Sequence, residues 1–219
     1  MGLKIKNSKN IVTDTLLLNL DASDSISTSE ALKWLDRSGN GDHAIFASAL
    51  DRNFSNDAGG SFDNPKLSFS DAAPFGINDS NDFSFEAWIK VDSITSSEEP
   101  IMGRGNTHFR LFITNGQISF KADNDLMTVT GGTLQADVWT HVAATYDNYS
   151  ASIYKDGVFI NSVSYPAAFG GGQTIAFQIG ANDANAEEFF GSMAEVRVYN
   201  RDLTASEVLS NYNATKGRF

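Results

Sequence analysis

The chain has 219 residues and a mass of 23.7 kDa, which fits one large β domain whose two-sheet core needs no covalent staple. It has no cysteine, which excludes disulfides, and its net charge of −11 argues against nucleic-acid binding, which needs clustered Lys and Arg. No apolar run approaches the length of a membrane span. The acidic excess favours solubility and also leaves carboxylates available for cations.

The chain begins with a short basic segment. Three lysines precede the first acidic residue, Asp14, and these are Lys4, Lys6 and Lys9. The first ten residues lack the apolar stretch and cleavage site of a secretory signal. We assign residues 1–12 to a basic arm and residues 13–219 to one domain. The arm is either a solvated leader or an anchor on an acidic partner surface, and in the second case the three lysines are the anchoring residues.

The first half of the chain predicts strands separated by polar turns. The apolar run from Thr15 to Leu20 predicts a strand buried on both faces. After Trp34 comes a turn rich in Asp, Asn and Gly over residues 36–43, where positive φ is tolerated and side chains bond the backbone.

The middle of the chain predicts long alternating strands and two tight hairpins. From Phe83 to Val91 the apolar residues point one way, and the opposite face carries Ser84, Glu86, Trp88 and Lys90. Asn115-Gly116 predicts a type I′ turn between strands at 108–114 and 117–121. Asp156-Gly157 predicts a second turn, between strands at 150–155 and 158–164.

The C-terminal part predicts one strand and one capped helix. Residues 193–199 alternate, so that Glu195 and Arg197 share a face of a half-buried strand and form an ion pair. Thr204 and Glu207 have the spacing of a capping box. The hydrophobic staple that accompanies such a cap is formed by Leu203 and Val208.

Several of these phrases resemble one family. They are Leu20-Asp-Ala-Ser followed by Trp34-Leu-Asp-Arg-Ser-Gly-Asn-Gly41, Phe83-Ser-Phe-Glu-Ala-Trp88, and the closing strand and helix of residues 191–219. Together they resemble the LamG-like jelly rolls of the concanavalin A-like lectin/glucanase superfamily. The resemblance implies an all-β fold, a two-sheet antiparallel jelly-roll sandwich with a short C-terminal helix, over residues 13–219. The ending Asn211–Phe219 also resembles that of such modules in virion proteins of tailed phages.

The residues do not predict an enzyme, although the superfamily includes glycoside hydrolases. Retaining glycosidases need two carboxylates about 5 Å apart, and glucanases of this superfamily place them as Glu-x-Asp-x-x-Glu on one strand face. That motif is missing, and the adjacent pairs Glu98-Glu99 and Glu187-Glu188 alternate faces in an extended strand. The three histidines lack zinc-site spacing, and His141 is expected to be structural.

The resemblance implies calcium as the one cofactor to consider, because LamG-like modules often carry a cation at the rim of the sandwich. Calcium takes six to eight oxygen ligands, and three loops are rich in them. The best candidate cluster is Asp21, Asp24, Asp36, Asn40 and Asp42. The other two are Asp123-Asn-Asp125 and residues 182–188. Each loop is equally typical of a solvated Asx turn without an ion.

A sandwich lectin needs exposed aromatic rings that stack on sugars. Most of the 16 Phe residues occupy core positions of the strands. Trp88 is the large aromatic residue on a polar strand face, and Tyr149 lies in a predicted turn. Both are candidate glycan-binding residues, and the alternative for Trp88 is packing against neighbouring strands.

The leading functional hypothesis is a non-enzymatic virion protein of a tailed phage, made in the host cytoplasm. It would be a capsid-decorating or tail/fibre-associated lectin-like module, with other virion proteins, host-surface glycans and copies of itself as partners. The arm and Lys216–Phe219 are its candidate anchors on electrostatic grounds. The alternatives are a free or cell-surface carbohydrate-binding module and, third, a glycosidase or lyase with an unfamiliar acid pair.

Overall fold

The computed structural model describes residues 10–25, 27–70, 74–77, 82–105, 108–122, 126–147, 149–165, 176–182 and 187–219. The basic arm and its three lysines therefore lie almost entirely outside the described residues. The strands of the first half are β1 (Leu16–Asp21), β2 (Lys33–Trp34), β3 (Ala44–Phe46), β4 (Asn53–Ser55), β5 (Ser61–Asp63), β6 (Leu67–Ser68), β7 (Phe83–Val91), β8 (Glu99–Gly103) and β9 (Arg110–Thr114). Those of the second half are β10 (Gln117–Ala122), β11 (Met127–Thr133), β12 (Thr140–Tyr146), β13 (Ser150–Lys155), β14 (Val158–Ser164), β15 (Gln178–Ile179), β16 (Ala181–Asn182), β17 (Glu187–Glu188) and β18 (Gly191–Tyr199).

The strands form two antiparallel sheets that pack face to face, as the sequence predicted. The first sheet has the order β14-β13-β12-β7-β18-β5-β4, with β1 also paired to β18. The second has the order β11-β10-β9-β8-β15-β6-β3-β2, and β16 and β17 form a separate hairpin. Helix α1 (Ala205–Thr215) and a 3₁₀ turn (Lys216–Arg218) follow β18. In the part of the chain that the structure describes, no helix is long and apolar enough to cross a membrane.

Aromatic residues fill the space between the sheets. The inward face of β7 supplies Phe83 and Phe85, as the alternation predicted, and both are fully buried. The Phe83 ring lies 4.5 Å from Phe109 and 4.8 Å from Tyr146, measured between ring centroids. These contacts join the first sheet to the start of β9 and fix which ends of the two sheets coincide.

Both predicted hairpin turns are confirmed. Asn115 and Gly116 have φ values of 49° and 68°, and Asp156 and Gly157 have φ values of 51° and 76°. Two successive residues with positive φ are the signature of a type I′ turn, whose twist matches that of antiparallel strands. The Asn115-Gly116 turn sets the register of β9 and β10, in which Lys121 of β10 lies directly opposite Arg110 of β9.

The first and last strands are buried differently from the prediction. Strand β1 is not buried on both faces, because only Leu18 and Leu20 are buried and its other four residues are half-buried. Strand β18 is not half-buried, because all nine of its residues are buried. The side chains of its polar face lie under helix α1 and the turn that follows, which cover the outer face of the first sheet.

Helix α1 begins at the predicted capping box. The Thr204 side chain accepts a hydrogen bond from the Glu207 amide, and the Glu207 carboxylate accepts one from the Thr204 amide at 2.9 Å. Arg201 donates two further hydrogen bonds to this carboxylate, and they hold the pKa of Glu207 at about 2. The staple residues Leu203 and Val208 are buried against the sheet. The helix is thereby docked on the outer face of β7, β12 and β18.

A buried polar network lies between this helix and the sheet. Glu195 pairs with Arg197, as predicted, and Arg197 also lies 3.9 Å from Glu86. Asn211 of the helix donates to Glu86 at 2.8 Å. Burial raises the pKa of Glu86 to about 7, whereas Arg197 and Asn211 act in the opposite direction. His141 is fully buried nearby, and burial lowers its pKa to about 3, so this histidine is neutral at neutral pH.

Candidate functional site

Trp88 does not offer a surface for a sugar. Its side chain is 3% exposed, because the C-terminal residues cover the face of β7 on which it lies. Phe219 stacks on the indole at 4.0 Å, Tyr212 stacks at 5.7 Å, and the indole Nε1 donates to Thr215 at 2.7 Å. The proposal of Trp88 as a glycan-stacking residue is therefore wrong, and the alternative interpretation as a packing residue holds.

The carboxylate of Asp21 already faces a cation of the protein itself. The guanidinium of Arg218 donates to Asp21 at 2.7 Å and to Glu195 at 2.9 Å. The same guanidinium donates to the carbonyl oxygens of Ala58 and Gly60. Arg218 and Phe219 thus belong to the folded domain, and the role of Lys216–Phe219 as an anchor to a partner stays a prediction.

The Asp-rich turn after Trp34 is held by its own hydrogen bonds. The Asp36 carboxylate accepts from the amides of Asn19, Ser38 and Gly41 at 2.8–3.1 Å. The Asn40 amide donates to the carbonyls of Leu16 and Leu17, both at 3.0 Å. The Asp36 carboxylate oxygens are therefore engaged in hydrogen bonds to backbone amides. This is the Asx-turn arrangement that was the alternative to a calcium site.

The remaining candidates for calcium are not gathered into one site by the described residues. Asp24 forms an ion pair of 2.9 Å with Arg37, and Asp42 lies in the same polar turn. Within the described ranges, no group of three or more His, Cys, Asp or Glu side chains is positioned to hold a metal ion. The loop 123–125 and most of the 182–188 loop lie outside those ranges. Calcium at the rim stays a prediction.

Tyr149 lies where the sequence placed it, in the turn between β12 and β13. Its side chain is 54% exposed, while Asp147 accepts the backbone N–H groups of Tyr149 and Ser150. Because Tyr146 pairs with Phe83, this turn lies at the end of the sandwich where β7 and β9 begin. Its ring remains a candidate for stacking on a sugar.

A charged cluster that the sequence analysis missed lies on the outer face of the second sheet. Leu111 and Ile113 of β9 point into the core, so Arg110 and Phe112 point outward. The Arg110 guanidinium packs on the Phe112 ring, 4.6 Å from its centroid, and contacts both Glu98 and Glu187. On the neighbouring strand, Lys121 lies 5.3 Å from the same ring and 3.5 Å from Glu98.

This cluster borders an open cleft, called here the Arg110 cleft. Its volume is about 170 Å³ when the adjoining open solvent is counted, and it is lined by Pro100, Met102, Gly103, Gly105, Arg110, Ala181 and Asn182. Asn182 donates to Glu187 at 3.0 Å, and Glu187 contacts Arg110, so an amide, a carboxylate and a guanidinium are linked beside the cleft. The Arg110 residue is 1% exposed, yet its Nε finds no hydrogen-bond acceptor among the described residues.

A signal for this cluster was present in the sequence. The Asn115-Gly116 turn fixes the register that places Arg110 opposite Lys121, and two like charges at that position repel each other. A nearby carboxylate is needed to offset this repulsion. Glu98 supplies it from the segment before β8, which no local pattern identifies. The position of Asn182 depends on the β16–β17 hairpin, which is also a tertiary feature.

Solved structures with similar folds come from toxins and carbohydrate-active proteins. The binding domain of Paraclostridial Mosquitocidal Protein 1 matches with a TM-score of 0.71 at 16% identity, over 92% of this chain and 52% of that one. Domain 4 of AbnA, a GH43 extracellular arabinanase from Geobacillus stearothermophilus solved with arabinotriose, matches with a TM-score of 0.65 at 18% identity, over 90% and 98%. Trypanosoma rangeli sialidase matches with a TM-score of 0.66 at 18% identity, over 93% and 33%.

These identities establish the fold alone. The chain spans about half of the toxin chain and about a third of the sialidase. A search of the curated proteins found no relative. A family model described as the Concanavalin A-like lectin/glucanases superfamily matches residues 59–209, which is more than half of the chain. The chain therefore belongs to the concanavalin A-like lectin/glucanases superfamily.

Proposed function

We propose that this protein is a non-enzymatic, lectin-like module that binds carbohydrate at the end of the sandwich bearing the Arg110 cleft. The observation that carries the proposal is the set of guanidinium, carboxylate and amide groups that the second sheet and the β16–β17 hairpin hold together beside this cleft. Such alternating donors and acceptors match the hydroxyl groups of a sugar.

The similar structures support this function in a general way. The arabinanase domain has nearly the same extent as this chain and was solved with a bound arabino-oligosaccharide. The toxin match is likewise to a binding domain. Because a fold does not determine a function, these likenesses support carbohydrate binding without naming the sugar.

The pairing of the carboxylates favours binding over catalysis. Glu98 and Glu187 come together in the structure, although they are distant in sequence, and both contact Arg110. A glycosidase needs one free carboxylate and one protonated acid. Here each of the two carboxylates is engaged by the same guanidinium. We expect no release of reducing ends from a polysaccharide panel, and turnover that Glu98→Gln or Glu187→Gln abolishes would contradict this assignment.

Carbohydrate binding is tested with a glycan array probed by the whole labelled chain. We expect saturable binding to a defined set of glycans. Because single-site lectin contacts are weak, the array should present glycans at high density, so that several sites engage at once. A Tyr149→Ala variant tests the exposed ring in the β12–β13 turn. The absence of any glycan signal for the folded protein would refute the proposed function.

The setting that we propose for this activity is the particle of a tailed phage, as a capsid-decorating or tail/fibre-associated protein. Its support is the resemblance of the ending Asn211–Phe219 to virion proteins, noted from the sequence. Mass spectrometry of gradient-purified particles tests it, with copy number measured against the major shell protein. Absence from particles would favour the alternative, a free or cell-surface carbohydrate-binding module.

A further inference from the structure

We infer that Asn115 is a site of spontaneous deamidation in this protein, and that the fold protects Asn40 from the same reaction. Deamidation is a covalent change of the chain itself and does not depend on the proposed carbohydrate binding. The sequence holds two Asn-Gly pairs, Asn40-Gly41 and Asn115-Gly116. Both are chemically reactive, because glycine has no side chain to keep its backbone nitrogen away from the preceding amide. The two pairs differ in their hydrogen bonds.

The reaction needs a side-chain amide and a backbone nitrogen that can move towards each other. The glycine nitrogen attacks the Cγ carbon of the preceding asparagine and forms a new C–N bond. The side-chain nitrogen leaves as ammonia and takes the proton of the backbone nitrogen. Water then opens the resulting succinimide at one of its two carbonyls, which gives aspartate or isoaspartate. Hydrogen bonds that hold the amide, or that hold the proton on the attacking nitrogen, must break first and slow the reaction.

Both groups of the Asn40-Gly41 pair are held. The Asn40 side-chain amide donates to two carbonyls of β1, at residues 16 and 17, and to the Ser38 hydroxyl, each at 3.0 Å. The Gly41 nitrogen donates to the Asp36 carboxylate at 3.1 Å. This carboxylate holds the proton that must leave when the nitrogen attacks. Several hydrogen bonds therefore have to break before Asn40 reacts.

The Asn115-Gly116 pair lacks these restraints. Asn115 is exposed, and its side-chain amide makes one hydrogen bond among the described residues, of 3.3 Å to the Thr114 hydroxyl. The Gly116 nitrogen donates to none of the residues that the structure describes. The turn is tethered instead through the Gly116 carbonyl, which accepts from the Leu134 amide at 2.8 Å. Exposure does not distinguish the two pairs, because Asn40 is exposed as well.

Ile94 covers the reactive nitrogen of the second pair. Gly116 is buried, and a Cβ atom placed on it would lie 2.6 Å from Cγ2 of Ile94. Ile94 lies in the loop between β7 and β8, and its side chain is 48% exposed. A half-exposed side chain on a surface loop moves at a lower cost than a hydrogen-bonded network opens. The Ile94 side chain therefore slows the reaction at Asn115 without preventing it.

The two products should differ in their effect on the hairpin. Isoaspartate adds a carbon to the backbone of a two-residue turn, and this turn sets the register that places Lys121 opposite Arg110. Aspartate leaves the backbone unchanged, and Asp-Gly is also favoured in a type I′ turn. We therefore expect the isoaspartate form, separated by ion exchange, to have a lower Tm than the Asn115→Asp variant. Equal Tm values would contradict this consequence.

The first experiment measures both pairs in one sample. The whole protein is incubated at mildly alkaline pH and digested, and mass spectrometry with electron-transfer fragmentation quantifies aspartate and isoaspartate at each position. We expect Asn115 to react about tenfold faster than Asn40, because fewer hydrogen bonds have to break. In concentrated urea, where both pairs are unfolded, the two rates should be similar. Equal rates in the folded protein, or a faster reaction at Asn40, would overturn the inference.

Two variants test the causes of the difference. Ile94→Ala uncovers the Gly116 nitrogen and should raise the rate at Asn115 but not at Asn40. Ser38→Ala removes one acceptor of the Asn40 amide and should raise the rate at Asn40 but not at Asn115. Unchanged rates in both folded variants would contradict the assigned protection.

Asn115→Gly is the matched control for the assignment of the modified position. It removes the reactive amide and keeps a residue pair that suits a type I′ turn. The deamidation signal of the folded protein should fall to the level contributed by Asn40. A signal that persists at the wild-type level would place the reactive asparagine elsewhere. If Ile94→Ala or Ser38→Ala fails to fold, the comparison of folded and urea-unfolded wild type still decides the matter.

Discussion

The ring of Phe219 lies parallel to the indole of Trp88, with centroids 4.0 Å apart and planes inclined by 15°. The contact joins the end of the 3₁₀ turn to the middle of β7, which is a central strand of the first sheet. Trp139 approaches Phe219 at 5.2 Å, and Arg218 binds Asp21 and Glu195 beside it. The last two residues therefore complete the outer face of that sheet.

Phe219→Ala should lower the free energy of unfolding by about 2 kcal/mol, because a partly buried ring with a stacked partner is lost. Urea unfolding followed by circular dichroism measures this change. We also expect a red shift in tryptophan fluorescence, since Trp88 gains access to water. Phe190→Ala is the matched control, because the ring of Phe190 is half exposed. A fluorescence spectrum and a stability identical to those of the wild type would argue against the stacking.

Glu207→Ala should destabilise the fold by about 1–2 kcal/mol at neutral pH, because it removes one half of the capping box and the ion pair with Arg201. Hydrogen bonds from Arg201 lower the pKa of this carboxyl from its ordinary 4.5 to about 2. Its contribution is therefore present above pH 4.5 and is lost as the pH falls towards 2. Unfolding curves of variant and wild type at pH 7 and pH 2.5 should differ at the first pH and nearly coincide at the second.

Local patterns predicted the elements of this fold, and tertiary contacts determined its site. The Asn115-Gly116 turn and the Thr204 cap follow from a few neighbouring residues, so they were readable. The role of Trp88, stacking on a sugar or packing within the protein, could not be decided from sequence. Its environment is created by Tyr212 and Phe219, which are more than 120 positions away in sequence. The Arg110 cleft escaped prediction for the same reason. Its partner carboxylates come from two segments that have no regular spacing relative to β9.

Two buried groups should give opposite pH dependences of stability. Burial raises the pKa of Glu86 from 4.5 to about 7, so between these values the folded state binds a proton that the unfolded state has lost, and stability falls as pH rises. Burial lowers the pKa of His141 from 6.5 to about 3. Over that range the unfolded state holds the extra proton, and stability rises with pH. Between pH 4.5 and 6.5 the two contributions oppose each other.

The Glu86→Gln variant should therefore show the pH dependence of stability that comes from His141. The His141→Gln variant should show the pH dependence that comes from the Glu86 carboxyl. Relative to wild type, the free energy of unfolding of Glu86→Gln should rise across pH 4.5–6.5, and that of His141→Gln should fall, each by at most about 1.4 kcal/mol per pH unit. Differences from wild type at each pH cancel the background from other groups. Parallel profiles for the two variants would show that these residues titrate normally in the folded state.

Arg218→Ala should convert the arginine-binding position into one that responds to calcium. The substitution leaves two carboxylates, Asp21 and Glu195, facing the carbonyl oxygens of Ala58 and Gly60, with Glu195 fully buried. Removing one member of a buried ion pair costs about 3–5 kcal/mol, and this variant should fall within or just below that range. Oxygen ligands of this kind suit Ca²⁺, with water completing its coordination.

Thermal unfolding with and without millimolar CaCl₂ tests this substitution. A cation that binds the folded state raises its stability in proportion to the logarithm of its concentration, so the Tm of Arg218→Ala should rise with calcium and recover part of the loss. The same concentration of MgCl₂ should act less, because the smaller ion demands a stricter octahedral geometry. Arg52→Ala, which removes a guanidinium that donates to the carbonyl of Thr28, is the control and should not respond. A calcium-dependent shift of equal size in wild type and Arg218→Ala would mean that the ion binds elsewhere, as the rim hypothesis for Asp36 and Asp42 requires.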